Sequence, residues 1–264
     1  MTASDPAYRL YAWWLRRNLH RVTLPRHVAL IMDGNRRWAR DHGHLNPSVG
    51  HRYGAEHVAD VLGWCSDLGI RHVTVWVASA DNIRKRDSDE VAFLMRVAED
   101  VVAARLGRPG GGWRVHVAGQ LALLPDSTVH ALKRACDATA GETRHGDLTV
   151  AIGYSGRHEI VDAVRALLLD AADVGRDLAT VAATLTEHDL AEYLGGGGQP
   201  PPDLIIRTSG EQRLSDFLLW QGADAELFFC DVYWPAFRYV DLLRALREYG
   251  RRAGSTSGPP PMSS

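Results

Sequence analysis

The chain has 264 residues, 45% hydrophobic and 23% charged, enough to bury a sizeable core as one large or two small domains. A formal net charge of -2 supplies no global field to draw it onto nucleic acid, so any anion site must be local. Cys65, Cys136 and Cys230 are odd in number and widely spaced without a CxxC pair, which argues against a disulfide framework or a thiolate zinc site and for a reducing cytoplasmic setting.

Residues 1–24 carry YRLYAWWLRRNLHR, aromatic and basic side chains at helical spacing. This helical extension either packs on its own domain or makes peripheral contact with a membrane surface. No apolar run reaches the roughly 18 residues of a membrane span, and the segment lacks a signal-peptide core. HVALIM (27–32) is the first strand, followed by an amphipathic helix over 50–66 in which His51, Ala55, Val58, Leu62 and Cys65 mark one face. HVTVWVAS (72–79) is the second strand. Asp87 and Glu90 suggest a capping box for a helix through Val91, Leu94, Val97 and Val101. Then come the strand WRVHVAG (113–119), a helix after Pro125, the strand LTVAIGY (148–154), a helix over 157–172 and another beginning near Thr186. GGGGQPPP (195–202) is a flexible connection or a moving lid. DLIIRT (203–208) and AELFFC (225–230) are the last strands, and FRYVDLLRALREYGRR closes a domain spanning 25–252. Residues 253–264 read as a disordered tail. Repeated strand–helix alternation implies an α/β fold: a single domain with a mostly parallel six-stranded sheet flanked by helices.

Ligands of such sheets sit beyond the carboxyl ends of the strands, and MDGNRR, ASADN and RTSGEQR all follow strand ends. Asp33 can be a metal ligand, a helix cap or a general base. With arginines beside it, a Mg²⁺ bridging to phosphate oxygens fits best, since that ion favours one or two carboxylates plus substrate phosphates. Gly34 to Arg37 would present backbone N–H groups and guanidinium forks to a diphosphate at a helix start. Arg207 and Arg213, with Ser209 and Ser215, form a second anion cradle or a salt-bridge network with Glu211. Asn82, beside Ser79 and Asp81, can orient a group or relay a proton but cannot hold one. The chain has neither a GxxxxGK[ST] loop nor a GxGxxG after its first strand, which argues against a P-loop nucleotidase and a dinucleotide fold. It has no DDxxD motif either.

From about residue 25 to 250 the sequence resembles the cis-prenyltransferases, the undecaprenyl diphosphate synthase-like isoprenyl transferases. HVALIMDGNRRWAR, Gly50–His51, SADN, GYSGRHEIVDA, PDLIIRTSGEQRLSDFLLWQ and AELFFCDVYWPAF correspond in order. The texture is most like actinobacterial short-chain Z-farnesyl diphosphate synthases. The resemblance implies a Mg²⁺-dependent homodimer that condenses isopentenyl diphosphate with an allylic diphosphate, geranyl or farnesyl. It makes Asp33 the essential acid working with Mg²⁺. Gly34, Asn35, Arg36, Arg37 and His51 cradle the allylic diphosphate, and Trp38 flanks it. Ser79 and Asn82 fall at the positions of proton removal. Arg207, Arg213 and Ser215 fall at the isopentenyl diphosphate site and Glu226 at the second Mg²⁺ ligand. Ala80, Asp81, Lys85 and Leu214 complete the substrate-binding set.

The family's Ser-Glu-Asn-Trp-x-Arg is here Ala80 to Lys85, so the aromatic gives way to Ile83 and the arginine to Lys85, and Asn46 or Pro47 stands where the family has another arginine. These departures bear on substrate choice more than on reaction class. A product of C15 to C20 is expected, growing into an apolar tunnel with Val77 as its floor and Trp76 or Phe93 narrowing it; a C50–C55 product is the alternative. A non-catalytic partner subunit is disfavoured by retention of Asp33 and Glu226, and condensation of two allylic diphosphates by retention of Ser79, Asn82 and RTSGEQRLS.

Overall fold

The computed structural model describes residues 5–101, 112–141, 146–195 and 199–256. All six sequence-derived strands form: β1 (His27–Ile31), β2 (His72–Ser79), β3 (Trp113–Ala118), β4 (Gly146–Tyr154), β5 (Leu204–Arg207) and β6 (Glu226–Phe229). They make one all-parallel sheet in the order β3-β4-β2-β1-β5-β6. β1 and β5 are buried along their whole length, as continuous apolar runs covered on both faces should be. The chain divides into two compact units: 1–73 with 202–212 and 224–264, and 74–201 with 213–223.

In the first unit β1, β5 and β6 run side by side, with Ile31 level with Arg207 and Arg207 level with Phe229. This register brings the segments after β1 and β5 to the same height. Helices α1 (Pro6–Leu19) and α10 (Tyr239–Thr256) pack on each other. α1 begins with Asp5, whose side chain accepts from the Ala7 N–H at 3.0 Å, and it buries Tyr8, Ala12, Leu15 and Leu19 on one face. α10 runs to Thr256, four residues into the segment expected as tail. α2 (Asn35–Asp41) lies against α3 (Val49–Asp67), and glycines permit that approach. A Cβ on Gly50 would stand 2.0 Å from the Asn35 carbonyl oxygen, and one on Gly54 only 2.2 Å from Asn35 Oδ1.

In the second unit β3 and β4 pair in register from Trp113↔Gly146 to Ala118↔Ala151. Around them are α4 (Ala80–Lys85), α5 (Ser88–Val101), α6 (Asp126–Thr139), α7 (Gly156–Asp173), α8 (Leu178–Thr184) and α9 (Glu187–Tyr193). α8 is not legible in the sequence: LATVAAT has little apolar period, and it is held by Val181 packing on Leu167 and Ala171 of α7. The expected Asp87/Glu90 box takes another form. The Asp87 carboxylate accepts from the Asp89 N–H at 2.8 Å, while Glu90 binds Arg86 at 3.0 Å. Thr186 and Asp189 do make a full capping box at α9. The centre of GGGGQPPP (196–198) and the tail from 257 lie outside the described residues.

α3 offers a paired test. Gly50 faces backbone, whereas Gly63 has nothing within 4 Å of an added Cβ. Gly63→Ala should raise stability by about 0.5–1 kcal/mol through helix propensity. Gly50→Ala should lower it by about 1–3 kcal/mol despite the same propensity gain, because the helices must move apart. Thermal melts of the two variants should shift in opposite directions.

Candidate active site

Asp33 sits two residues beyond β1, where the chain turns outward. Its backbone is fixed by three bonds: its N–H donates to Ile31 O at 3.0 Å, and its carbonyl accepts from the Trp234 N–H at 3.0 Å and the Thr208 hydroxyl at 2.7 Å. Its carboxylate accepts from the Gly34 N–H at 2.7 Å and from Arg207 Nη2 at 2.9 Å, with Arg37 Nη2 at 3.7 Å. Burial pushes the Asp33 carboxyl up, but the Arg207 bond, the Gly34 N–H and the charges of Arg207 and Arg37 more than offset it, leaving it below the usual range. The group is therefore ionised at neutral pH and a poor base.

Nor is Asp33 the cap of α2. That position belongs to Gly34, in the left-handed region with φ 97°. A Cβ there would stand 2.7 Å from Tyr233 Cδ1 and 2.9 Å from Ser209 Cβ, so only glycine suits both backbone and space. What remains for the Asp33 carboxylate is to hold a cation or to tension the arginines. Among the described residues no group of three or more His, Cys, Asp or Glu side chains could hold a metal ion. One ionised carboxylate beside guanidinium groups nevertheless fits Mg²⁺, which takes most of its shell from water and substrate phosphates.

Arg37 is held from several sides. Its Nη2 donates to Ser209 Oγ at 2.6 Å, Nη1 lies 4.0 Å from Glu211, and the guanidinium stands 5.6 Å from the centre of the Tyr233 ring. Ser209 has φ 77°, a left-handed non-glycine residue, and its N–H donates to Val232 O at 2.8 Å. Sequence reasoning misses Tyr233, like the Thr208 clamp, because DVYWPAF shows only an aromatic texture. Arg207 is nearly enclosed, its side chain 5% exposed, so here it faces Asp33. Asn35 turns inward: Nδ2 donates to Met32 O at 2.9 Å, leaving its backbone N–H, with that of Arg36, at the start of α2. Arg36 is exposed, and His51 lies in the first turn of α3. Trp38 stacks on His42, with ring centres 4.3 Å apart, and tilts against Tyr53.

In the second unit Ser79 ends β2 and caps α4, its Oγ accepting from the Asn82 N–H at 2.9 Å. Ala80 is buried beneath it. Asp81 and Lys85 form an exposed pair at 2.6 Å, and the lysine hydrogen bond and charge hold the Asp81 carboxyl below its usual range. Arg213 and Ser215 are exposed and bonded, Nε to Oγ at 3.2 Å, with Leu214 half-buried between them.

The turn that follows explains why GYSGRHE and RLSDF occur together. Ser215, Asp216 and Leu218 all have positive φ, at 52°, 74° and 45°. Such backbone costs on the order of 1–3 kcal/mol per residue and needs outside support. Asp216 supplies it at the start of α7. Its carboxylate accepts from Ser155 Oγ at 2.5 Å and from the Arg157 N–H at 3.0 Å, and its carbonyl accepts from the Gly156 N–H at 2.8 Å. A Cβ on Gly156 would stand 2.9 Å from that carbonyl oxygen. Phe217, completely buried, then stacks on Trp76 with ring centres 5.0 Å apart.

Glu226 opens β6, level with Leu204 and hence with Val28. Asp33 is five residues further along, about 16 Å at strand rise. Glu226 is bound by Arg252 of α10 at 2.8 Å.

Residues 31–256 match the family model described as "Putative undecaprenyl diphosphate synthase". The chain belongs to that family of cis-acting isoprenyl transferases and is a prenyl diphosphate synthase. It is 56% identical over 253 residues to an isoprenyl transferase of Streptomyces fradiae, covering 96% of this chain and 98% of the relative. To the (2Z,6E)-farnesyl diphosphate synthase of Thermobifida fusca it is 49% identical, covering 94% and 95%. To that of Mycolicibacterium smegmatis it is 46% identical, covering 94% of each. The crystal structure of lavandulyl diphosphate synthase from Lavandula x intermedia with dimethylallyl diphosphate superposes with a TM-score of 0.79 at 31% identity, covering 86% of this chain and 95% of that one.

The α7 cap is testable apart from activity. Asp216→Ala should cost about 1–2 kcal/mol in urea unfolding, the worth of a helix N-terminal acceptor. Asp216→Asn, which tolerates positive φ and keeps an acceptor oxygen, should lose less. Equal losses would mean that the backbone alone holds the turn.

Proposed function

We propose that this enzyme condenses isopentenyl diphosphate with one short allylic diphosphate, geranyl or farnesyl, giving a Z-prenyl diphosphate of C15 to C20. The observation that carries the chemistry is the ionised Asp33 held between Arg207 and Arg37 beyond β1. In the reaction the allylic C–O bond breaks and diphosphate leaves. The isopentenyl double bond attacks the cation, and a proton lost from the isopentenyl unit restores a double bond in cis. Mg²⁺, held by Asp33 and substrate oxygens, would neutralise diphosphate charge. Arg37, Arg36 and the N–H groups opening α2 bind the departing diphosphate where its charge grows. Arg207 keeps Asp33 ionised and aimed, and by resemblance also meets the isopentenyl diphosphate along with Arg213 and Ser215. By resemblance Ser79 and Asn82 serve proton removal, Asn82 orienting or relaying the proton because an amide cannot keep it.

Short products are supported by the farnesyl synthases among the relatives and by β2 itself. Successive strand residues point to opposite faces, so Trp76 and Val77 cannot line the same tunnel. Trp76 stacks on Phe217, and Val77, on the other face of β2, is proposed as the floor. A homodimer is supported by Val161, Val164 and Leu168, an exposed apolar stripe on α7 beside its packed face; a monomer in light scattering removes that part.

Asp33→Asn should lower kcat at least about 100-fold with the fold retained, as read by radiolabelled turnover beside circular dichroism. Arg213→Ala should raise the isopentenyl KM about ten- to a hundredfold at nearly constant kcat, whereas Arg207→Ala should also lower kcat through Asp33. Near-normal turnover of Asp33→Asn would remove the role given to that carboxylate.

Product length is decided by incubation with Mg²⁺, isopentenyl diphosphate and each of geranyl, farnesyl and geranylgeranyl diphosphate. The dominant product should be C15 to C20, and Val77→Ala should lengthen it. A dominant C50 product would reverse the chain-length assignment.

A further inference from the structure

α1 has two faces with different work. Tyr8, Ala12, Leu15 and Leu19 are its buried ridge. On the opposite side Leu10, Trp13, Trp14 and Arg17 follow at helical spacing, and the first three are 66%, 54% and 42% exposed. Large apolar side chains clustered on an exposed ridge call for an explanation that scattered ones do not.

The charge around this ridge is of one sign. PAYRLYAWWLRRNL contains Arg9, Arg16 and Arg17 and no acid, and Arg21 follows at its exit. Arginines also lie on the aromatic rings: Arg17 at 5.4 Å from the Trp13 ring centre, Arg247 of α10 at 5.0 Å from Trp14, and Arg244 at 5.2 Å from Tyr11. The acids of α10 and the one that opens α1 have other partners. Asp5 caps α1, Asp241 binds Arg238 and Arg244, and Glu248 binds Arg251 and Arg252.

From these observations we infer that the outer face of α1, extended by Arg247 of α10, docks the enzyme on an anionic phospholipid surface. Tryptophan over a leucine ridge suits the boundary between headgroups and acyl chains. The flanking guanidinium groups reach headgroup phosphates while their stems cover apolar surface. A second copy fits poorly. A two-fold contact through this ridge would bring like arginines together, with no acid on α1 to answer them. No helix among the described residues is long and apolar enough to cross a membrane, so the contact is one of lying on the surface. The inference stands on composition, exposure and charge, and does not depend on the proposed reaction.

The test is co-sedimentation of the full chain with vesicles of phosphatidylcholine alone or with added phosphatidylglycerol. Binding is expected only with the anionic lipid and should weaken with salt. Leu10→Ala with Trp13→Ala should weaken partitioning by at least about tenfold. Arg16→Gln with Arg17→Gln should weaken it by about 25-fold, near fivefold for each charge. Turnover of both variants on soluble substrates without vesicles should stay unchanged. No sedimentation with anionic vesicles, equal sedimentation with neutral ones, or variants that bind like the parent would overturn the assignment. So would a Leu10/Trp13 variant whose mass in light scattering falls to the monomer, which would give the face to a second copy.

Discussion

The ion pair between Asp33 and Arg207 is the constraint on which the strand-end segments of the first unit rest. An arginine enclosed to this degree is costly to bury without a carboxylate partner, and Asp33 meets it at 2.9 Å. The pair exists because β1 and β5 are parallel neighbours with Ile31 level with Arg207, although the partners are 174 residues apart in sequence. Once formed, it fixes the charge of Asp33, and the fixed charge holds Arg37 nearby. Arg37 in turn is tied to Ser209 and backed by Tyr233, so the segments after β1, β5 and β6 restrain one another. The diphosphate binding proposed for this cluster would depend on that kind of prior restraint.

Glycine and positive φ recur wherever these segments come close. Gly34 admits Tyr233 and Ser209, Gly50 and Gly54 admit Asn35, and Gly156 admits the carbonyl of Asp216. Each is a point where a functional loop touches a helix start, so the tight turns and the helix N-termini are one design. At Asp216 the strained turn and the capped α7 support each other. Strain in the segment bearing Arg213 and Ser215 is thus held by bonds made elsewhere in the same unit.

Much of the fold is legible in the residue pattern. Six short β-rich runs correspond to the six strands, since their length and β-branched and aromatic content separate them from buried helix segments where periodicity alone does not. Asp33, Gly34 and Arg37 are legible because an acid, a glycine and arginines after a strand have few uses together. Thr208, Tyr233 and Asp216 are not. Each acts through a partner distant in sequence, and a lone threonine, tyrosine or aspartate carries no local signature.

What the sequence determined by itself was the six strands, most of the longer helices, and the reaction class through its motifs. Only the tertiary structure decided which atoms meet. The register of β1, β5 and β6 set Glu226 at the amino end of its strand with Arg252, far from Asp33. Packing turned Asn35 inward and stacked Trp76 on Phe217. Local pattern fixes which face and which end a residue can occupy. The choice among distant partners depends on strand order and register, which no short stretch of sequence contains.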